Sequence, residues 1–371
     1  MLTLVAALVL GQQSIVSYSK TLLPNPFGKL SRLMVQFDPE NRLPRPQLSP
    51  KKFGLGEDRQ PFEFDFSTFG LAHIDGDDTT LHCRFRVYEQ ERKQKNDVAF
   101  AVTEMLLRLW EYNYNRLKLD HSPLYDDQMV DVYLCWGGTA GGEQLFDIDP
   151  SLARNQKVNT IYIYDLPSFT DPVEMAREVA HEYGHASLPA IGGFNTPEDW
   201  GNGYLGERLF LTYLRDELAK DELKPQDAMG ATAPELDKWV QKNVDPLVVA
   251  SASSAPDLNV LGGTGPKAMN AYMGLMLYCS QLLPPTVFQR SLRLTGSQSA
   301  KDIPDAVVMA VEEPDTFTMK VPKILAGKAI WIPVSKARIE GASVISSKRG
   351  WALVKPTGST ITLKNQPPGT H

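Results

Sequence analysis

The stretch Thr170-Asp171-Pro172-Val173-Glu174 announces a helix, and Pro189 sets its limit. Asp171 is a favourable N-cap, Pro172 suits the first helical position because no N–H is lost there, and Glu174 can complete a capping box. The helix so bounded runs from Pro172 to about Leu188 and contains His181-Glu182-Tyr183-Gly184-His185. Residues four apart lie on one helical face, so both imidazoles can approach a single point. The neighbours Val179, Ala180, Tyr183 and Ala186 are small or uncharged, as suits a helix buried beneath a cleft. A charged surface helix carrying an incidental histidine pair would read differently.

This spacing has a chemical meaning. Two imidazoles one turn apart suit a divalent cation, and zinc accepts two nitrogens, one carboxylate oxygen and an open water position. Glu182, beside the first histidine, then stands next to the metal-bound water as its general base. A third ligand is needed. The remaining histidines are His73, His82, His121 and His371, and an extended motif with a third histidine would need Gly at 188 and His at 191, positions that hold Leu188 and Ile191. A downstream carboxylate is the natural candidate, among Glu198, Asp199, Glu207, Asp216 and Glu217. Glu207 has Phe210, Leu211, Leu214 and Leu218 at helical offsets, which puts it on an inward face. A carboxylate there is costly unless it is paired or binds metal. Glu198, on a loop before that helix, is the second choice, and an ion pair with Arg or Lys is the bland alternative for Glu207.

The segment from about 97 to 220 resembles the gluzincin group of zinc metallopeptidases. In that group a helix and an edge strand precede the HExxH helix, and a later helix supplies a glutamate. The resemblance implies a zincin-like domain binding one zinc ion, with His181, His185 and Glu207 as ligands and Glu182 as base in the hydrolysis of a peptide or protein substrate. Met129–Trp136 is read either as the edge strand, able to take an extended peptide by β-augmentation, or as an ordinary core strand. Tyr272 is the nominee for an oxyanion donor, against the plainer reading of a core tyrosine. Glu178 is either a supporting residue near His181 or a surface ion pair.

The rest of the chain frames this domain. A length of 371 residues allows two or three domains. A net charge of −6 with no basic stripe excludes nucleic acid as an expected partner. Leu2–Leu10 is an apolar run too short to span a bilayer, which takes roughly 20 residues. It reads as a signal sequence over 1–11, implying a secreted or periplasmic protein without membrane insertion in its mature form, against the plainer reading of a buried strand or helix start. Residues 12–95 are rich in Pro, Phe and short apolar stretches, with polar–apolar alternation in Phe62–Phe66 and Leu81–Tyr88, and predict a β-rich segment with a turn at Asp75–Asp78. Helices are expected over 97–118, 205–223, 232–243 and 267–283, with Thr196–Gly206 and 251–265 as loops. Thr160–Tyr164 reads as a strand. Four strands after about 315 predict a small C-terminal β module, taken as 301–371, which could contact glycans. Cys83, Cys135 and Cys279 form no CxxC pair, so neither a cysteine zinc site nor a disulfide scaffold is expected. The fold class is therefore α+β: a β-rich segment, a zincin-like domain over 96–300, and the β module. Two other functions fit the same residues: an inactive secreted binding protein with a vestigial or structural metal site, and a glycan-binding surface protein that carries a peptidase domain.

Overall fold

The computed structural model describes residues 16–19, 33–38, 64–72, 82–90, 98–119, 121, 129–148, 157–188, 198–295 and 299–365. The apolar leader and the turn at Asp75–Asp78 lie outside these residues. The chain mixes helices and strands and ends in a small β module. It divides into two compact units, one from residues up to 115, 119–188 and 210–237, the other from 116–118, 189–209 and 238–371.

The first unit is built on a seven-stranded sheet. Its strands are β1 (Val16–Ser19), β2 (Leu33–Asp38), β3 (Phe64–Ala72), β4 (His82–Gln90), β5 (Val130–Leu134), β6 (Gly141–Ile148) and β7 (Lys157–Tyr164), in the order β1-β2-β3-β4-β5-β7-β6. β1 to β4 form antiparallel pairs, β4, β5 and β7 run parallel, and β6 closes the edge antiparallel to β7. The parallel step from β4 to β5 requires a crossover, which α1 (Val98–Tyr112) supplies. Strands on both sides of residue 96 thus share one sheet, and the boundary expected there falls between paired strands.

Because alternate residues of a strand face opposite ways, the sheet has two distinct faces. Phe85 of β4 meets Tyr183 of α2 (Pro172–Ser187) with ring centroids 5.6 Å apart, and a Cβ built on Gly70 of β3 would lie 3.1 Å from Phe85 and 3.2 Å from Leu107 of α1. Helices α1 and α2 therefore cover this face. The next residue, Arg86, points the other way and pairs through both its Nε and Nη2 with the carboxylate of Asp131 on β5, both residues buried. Burial penalises the Arg86 charge, but Asp131 outweighs it and holds the guanidinium proton more firmly than usual. Beside this pair four buried tyrosines stack, from β4 through β5 to β7 and then along β7. Tyr88–Tyr133, Tyr133–Tyr162 and Tyr162–Tyr164 have centroid separations of 4.9, 5.0 and 5.9 Å and interplanar angles of 9°, 17° and 6°. Tyr164 donates to Glu143 at 2.7 Å.

Within α1, Arg108 bonds Asp227 of the turn Pro225–Ala228 at 3.0 Å and Glu111 at 3.3 Å. Glu104, one turn earlier, is pushed up to about 7 by burial and by the Asp227 charge, which Arg108 only partly offsets.

The second unit holds the first half of α3 (Glu198–Leu218) followed by α4 (Ala233–Asn243), α5 (Asp245–Ser253), α6 (Leu258–Leu261), α7 (Pro266–Leu282), α8 (Pro285–Leu294) and α9 (Ser299–Glu312). Six strands end the chain: β8 (Thr316–Lys320), β9 (Ile330–Pro333), β10 (Ala337–Glu340), β11 (Ala342–Lys348), β12 (Trp351–Pro356) and β13 (Thr360–Asn365). They form two three-stranded antiparallel sheets, β10-β13-β8 and β11-β12-β9. The strands of the module begin at Thr316, after helix α9 and as expected from about 315, and among the described residues they number six where four were expected.

One further expectation changes, and for Met129–Trp136 the core-strand alternative is the one present. The stretch Thr196–Gly206, expected as a loop, is helical from Glu198 onward. Its glycines lower helix propensity, yet a Cβ on Gly201 would lie 3.1 Å from the Tyr272 ring of α7, so glycine is what lets the two helices close. Met129–Trp136 supplies the interior strand β5, buried along its whole length between β4 and β7, whereas the edge belongs to Gly141–Ile148. All three cysteines carry free thiols. Among the described residues no helix is long and apolar enough to cross a membrane.

Candidate functional site

Helix α2 begins as its sequence requires. Asp171 takes an extended backbone and its carboxylate accepts from the Val173 N–H at 2.8 Å. Glu174 forms an ion pair with Arg177 at 2.9 Å, so its carboxylate serves the helix surface. At the other end the Leu188 N–H bonds the Gly184 carbonyl. Tyr183 turns into the core of the unit, beside Phe85 and Phe210, with its hydroxyl 3.2 Å from Nε2 of His121.

The face opposite Tyr183 carries the histidine pair. His181 and His185 are half-buried, and their Nε2 atoms stand 3.2 Å apart with the rings inclined at 72°. Two nitrogens bound tetrahedrally to one zinc at about 2.0–2.1 Å lie about 3.3 Å apart. The pair therefore has the spacing at which one ion accepts both rings, so the residues fit the histidine half of a zinc site.

Glu182 is 3% exposed and lies against the sheet edge. A Cβ on Gly142 of β6 would fall 2.6 Å from its Cγ and 2.9 Å from its Cδ and Oε1. Only a residue without a side chain lets the strand pass this close. Glu178, one turn earlier and also buried, accepts from Arg177 Nη2 at 2.9 Å, with the Gly141 backbone nearby. Its ion pair is present, and its place is at the start of the edge strand.

The other nominated residues sit as follows. Glu207 is 3% exposed on α3, and its carboxylate is ion-paired with Arg208. Arg208 also donates to the carbonyls of Tyr204 at 2.9 Å and Asn243 at 3.2 Å, and lies over the rings of Tyr204 and Trp239. The inward orientation expected of Glu207 is present, together with the guanidinium partner that was its bland alternative. The side chain of Glu198 lies outside the described residues. Tyr272 is fully buried, its ring on Gly201 and its hydroxyl 3.4 Å from Asn202 Oδ1, the surroundings of a core tyrosine and not of an oxyanion donor. Among the described residues no set of three or more His, Cys, Asp or Glu side chains is gathered as a metal ion would require. What the chain assembles is the histidine pair with Glu182.

Sequence reasoning missed β6, Gly142 and Arg208. The signal for β6 was weak, since Gly141-Gly142 reads as a turn, although Gln144, Phe146 and Ile148 alternate with Glu143, Leu145 and Asp147. No protein-family model, curated protein or solved structure matches the chain.

Proposed function

We propose that the chain is a zinc-dependent peptidase of the zincin type, with His181 and His185 as metal ligands, Glu207 as the candidate third ligand and Glu182 as general base. The observation that carries this reading is the 3.2 Å approach of two Nε2 atoms on a capped, well-packed helix, next to a buried glutamate. A zinc ion held there supplies Lewis acidity, which makes a nearby water a stronger acid and polarises a carbonyl. Glu182, confined against Gly142, takes the proton of the attacking water and hands it to the leaving amine. The edge strand β6 supports a peptide substrate: among the described residues it pairs only with β7, so its outer hydrogen-bonding groups can take an extended chain by β-augmentation.

A second reading has an observation of its own. The ion pair of Glu207 with Arg208, and the lack of a three-ligand group among the described residues, favour an inactive binding protein with a vestigial or structural metal site. The two readings separate in one experiment. Zinc content and peptide hydrolysis are measured on wild type, Glu182→Gln, Glu207→Ala and Glu198→Ala. A peptidase retains zinc in Glu182→Gln while turnover falls by about 10²–10⁴, and it loses zinc in one of the other two variants. Wild type that carries zinc and hydrolyses nothing across a broad peptide library defeats the first reading and upholds the second.

A further inference from the structure

We propose that Asn159 is a positioning residue that locks the turn of α2 carrying Glu182 and His185 to the edge strand β6. This inference rests on the zinc reading above. Asn159 is fully buried on β7. Its amide nitrogen donates to the Ala186 carbonyl of α2 at 2.8 Å, and its amide oxygen accepts from Gln144 Nε2 of β6 at 2.8 Å. Ala186 lies in the last turn of the helix, where carbonyls have no intrahelical partner, so Asn159 satisfies a group that the helix itself leaves open. An amide side chain suits the task because it donates at one atom and accepts at the other.

The same helical turn is held at its other end by Glu182 against Gly142. Gly142 and Gln144 share one face of β6, opposite Ile163 and Ile161 of β7, and Asn159 stands two residues further along opposite Phe146. One turn of α2 is therefore pinned to the strand pair at both ends, beside Glu182 and beside His185. The register of a peptide added to β6, relative to the base and the histidines, follows from that double attachment. Asn159→Asp keeps the shape and the bond from Gln144 but sets a carboxylate oxygen against the Ala186 carbonyl.

The test measures zinc affinity by chelator competition, the visible spectrum of the cobalt-substituted protein, and chemical unfolding, on the full chain. Asn159→Asp is expected to weaken zinc binding by about 10–100-fold and to change the cobalt spectrum. Leu33→Ala, which loosens the far end of the sheet at β2, serves as a destabilised control and is expected to keep wild-type affinity and spectrum. Wild-type affinity in a folded Asn159→Asp overturns the positioning role and leaves the zinc reading intact. Wild type that binds no zinc overturns both. If Asn159→Asp does not fold, Gln144→Leu removes only the strand arm: a loss of about tenfold upholds the role, and unchanged affinity overturns it.

Discussion

The two faces of the seven-stranded sheet are built from different materials. On the face under α1 and α2, the contacts that matter for the motif come from a glycine, an asparagine and a glutamine of β6 and β7. On the other, a buried ion pair and four stacked tyrosines tie β4, β5 and β7 together. The ion pair is all or nothing: intact, it offsets its own desolvation, and with one partner removed it leaves a buried charge. The contacts on the first face are weaker individually but act on position. Stability and function are thus expected to dissociate across a single layer of backbone.

The sharpest way to test this is Asp131→Ala, which strands Arg86. It should cost about 3–5 kcal/mol in chemical unfolding while leaving zinc affinity of the folded fraction at the wild-type value. A large affinity change would join the two faces and end the distinction. Gly142→Ala goes the other way. The added methyl overpacks the site, costs about 1–3 kcal/mol, and displaces Glu182, so hydrolysis should fall more than stability loss explains, as seen by comparing kcat with the folded fraction.

Glu104 offers a third probe, in the helical layer. Its folded value of about 7 lies above its ordinary 4.5. The folded chain therefore holds an extra proton between those values, and stability is lost as pH rises through the folded value. Wild type should weaken between about pH 5 and pH 8 relative to Glu104→Gln, and urea midpoints measured in parallel check this. Equal slopes would show that neither burial nor the Asp227 charge raises this carboxyl. The smallest effect belongs to Asp171→Ala. Loss of the N-cap should lower stability by about 1 kcal/mol, with zinc affinity unchanged because the motif lies more than two turns downstream.

The same contrast explains what the sequence disclosed. Helix α2 was legible at both ends because capping is local: Asp171, Pro172 and Pro189 act within a few residues of themselves. Strands β3, β4, β5 and β7 were visible through alternation or apolar runs. The edge position was not, because strand order is set by pairing between distant residues. Val130–Leu134 reads as an apolar strand wherever it lies, and Gly141-Gly142 reads as a turn until Glu182 is seen against it. The helical start of α3 was obscured for a related reason, since Gly201 disfavours a helix until the Tyr272 ring explains its absence of a side chain. Glu207 was correctly placed inward by periodicity, but periodicity carries no information about Arg208, whose guanidinium is held by the Asn243 carbonyl and the Trp239 ring far along the chain. Helices α5, α6, α8 and α9 were missed: α5 runs into, and α6 lies within, a Ser-, Ala- and Gly-rich stretch that reads as loop, α8 opens at the Pro284-Pro285 pair, and α9 holds Pro304 in its interior.

The placement of sulfur gives each unit its own reporter. Cys135 is sealed into the first unit and Cys279 into the second, and burial raises the pKa of both thiols well above the ordinary range, which suppresses their ionisation. Because only the thiolate attacks an alkylating reagent, each of these sulfurs reacts at the rate its surroundings open. Mass spectrometry of timed alkylation would then clock the breathing of the two units separately, in one sample and without any introduced label.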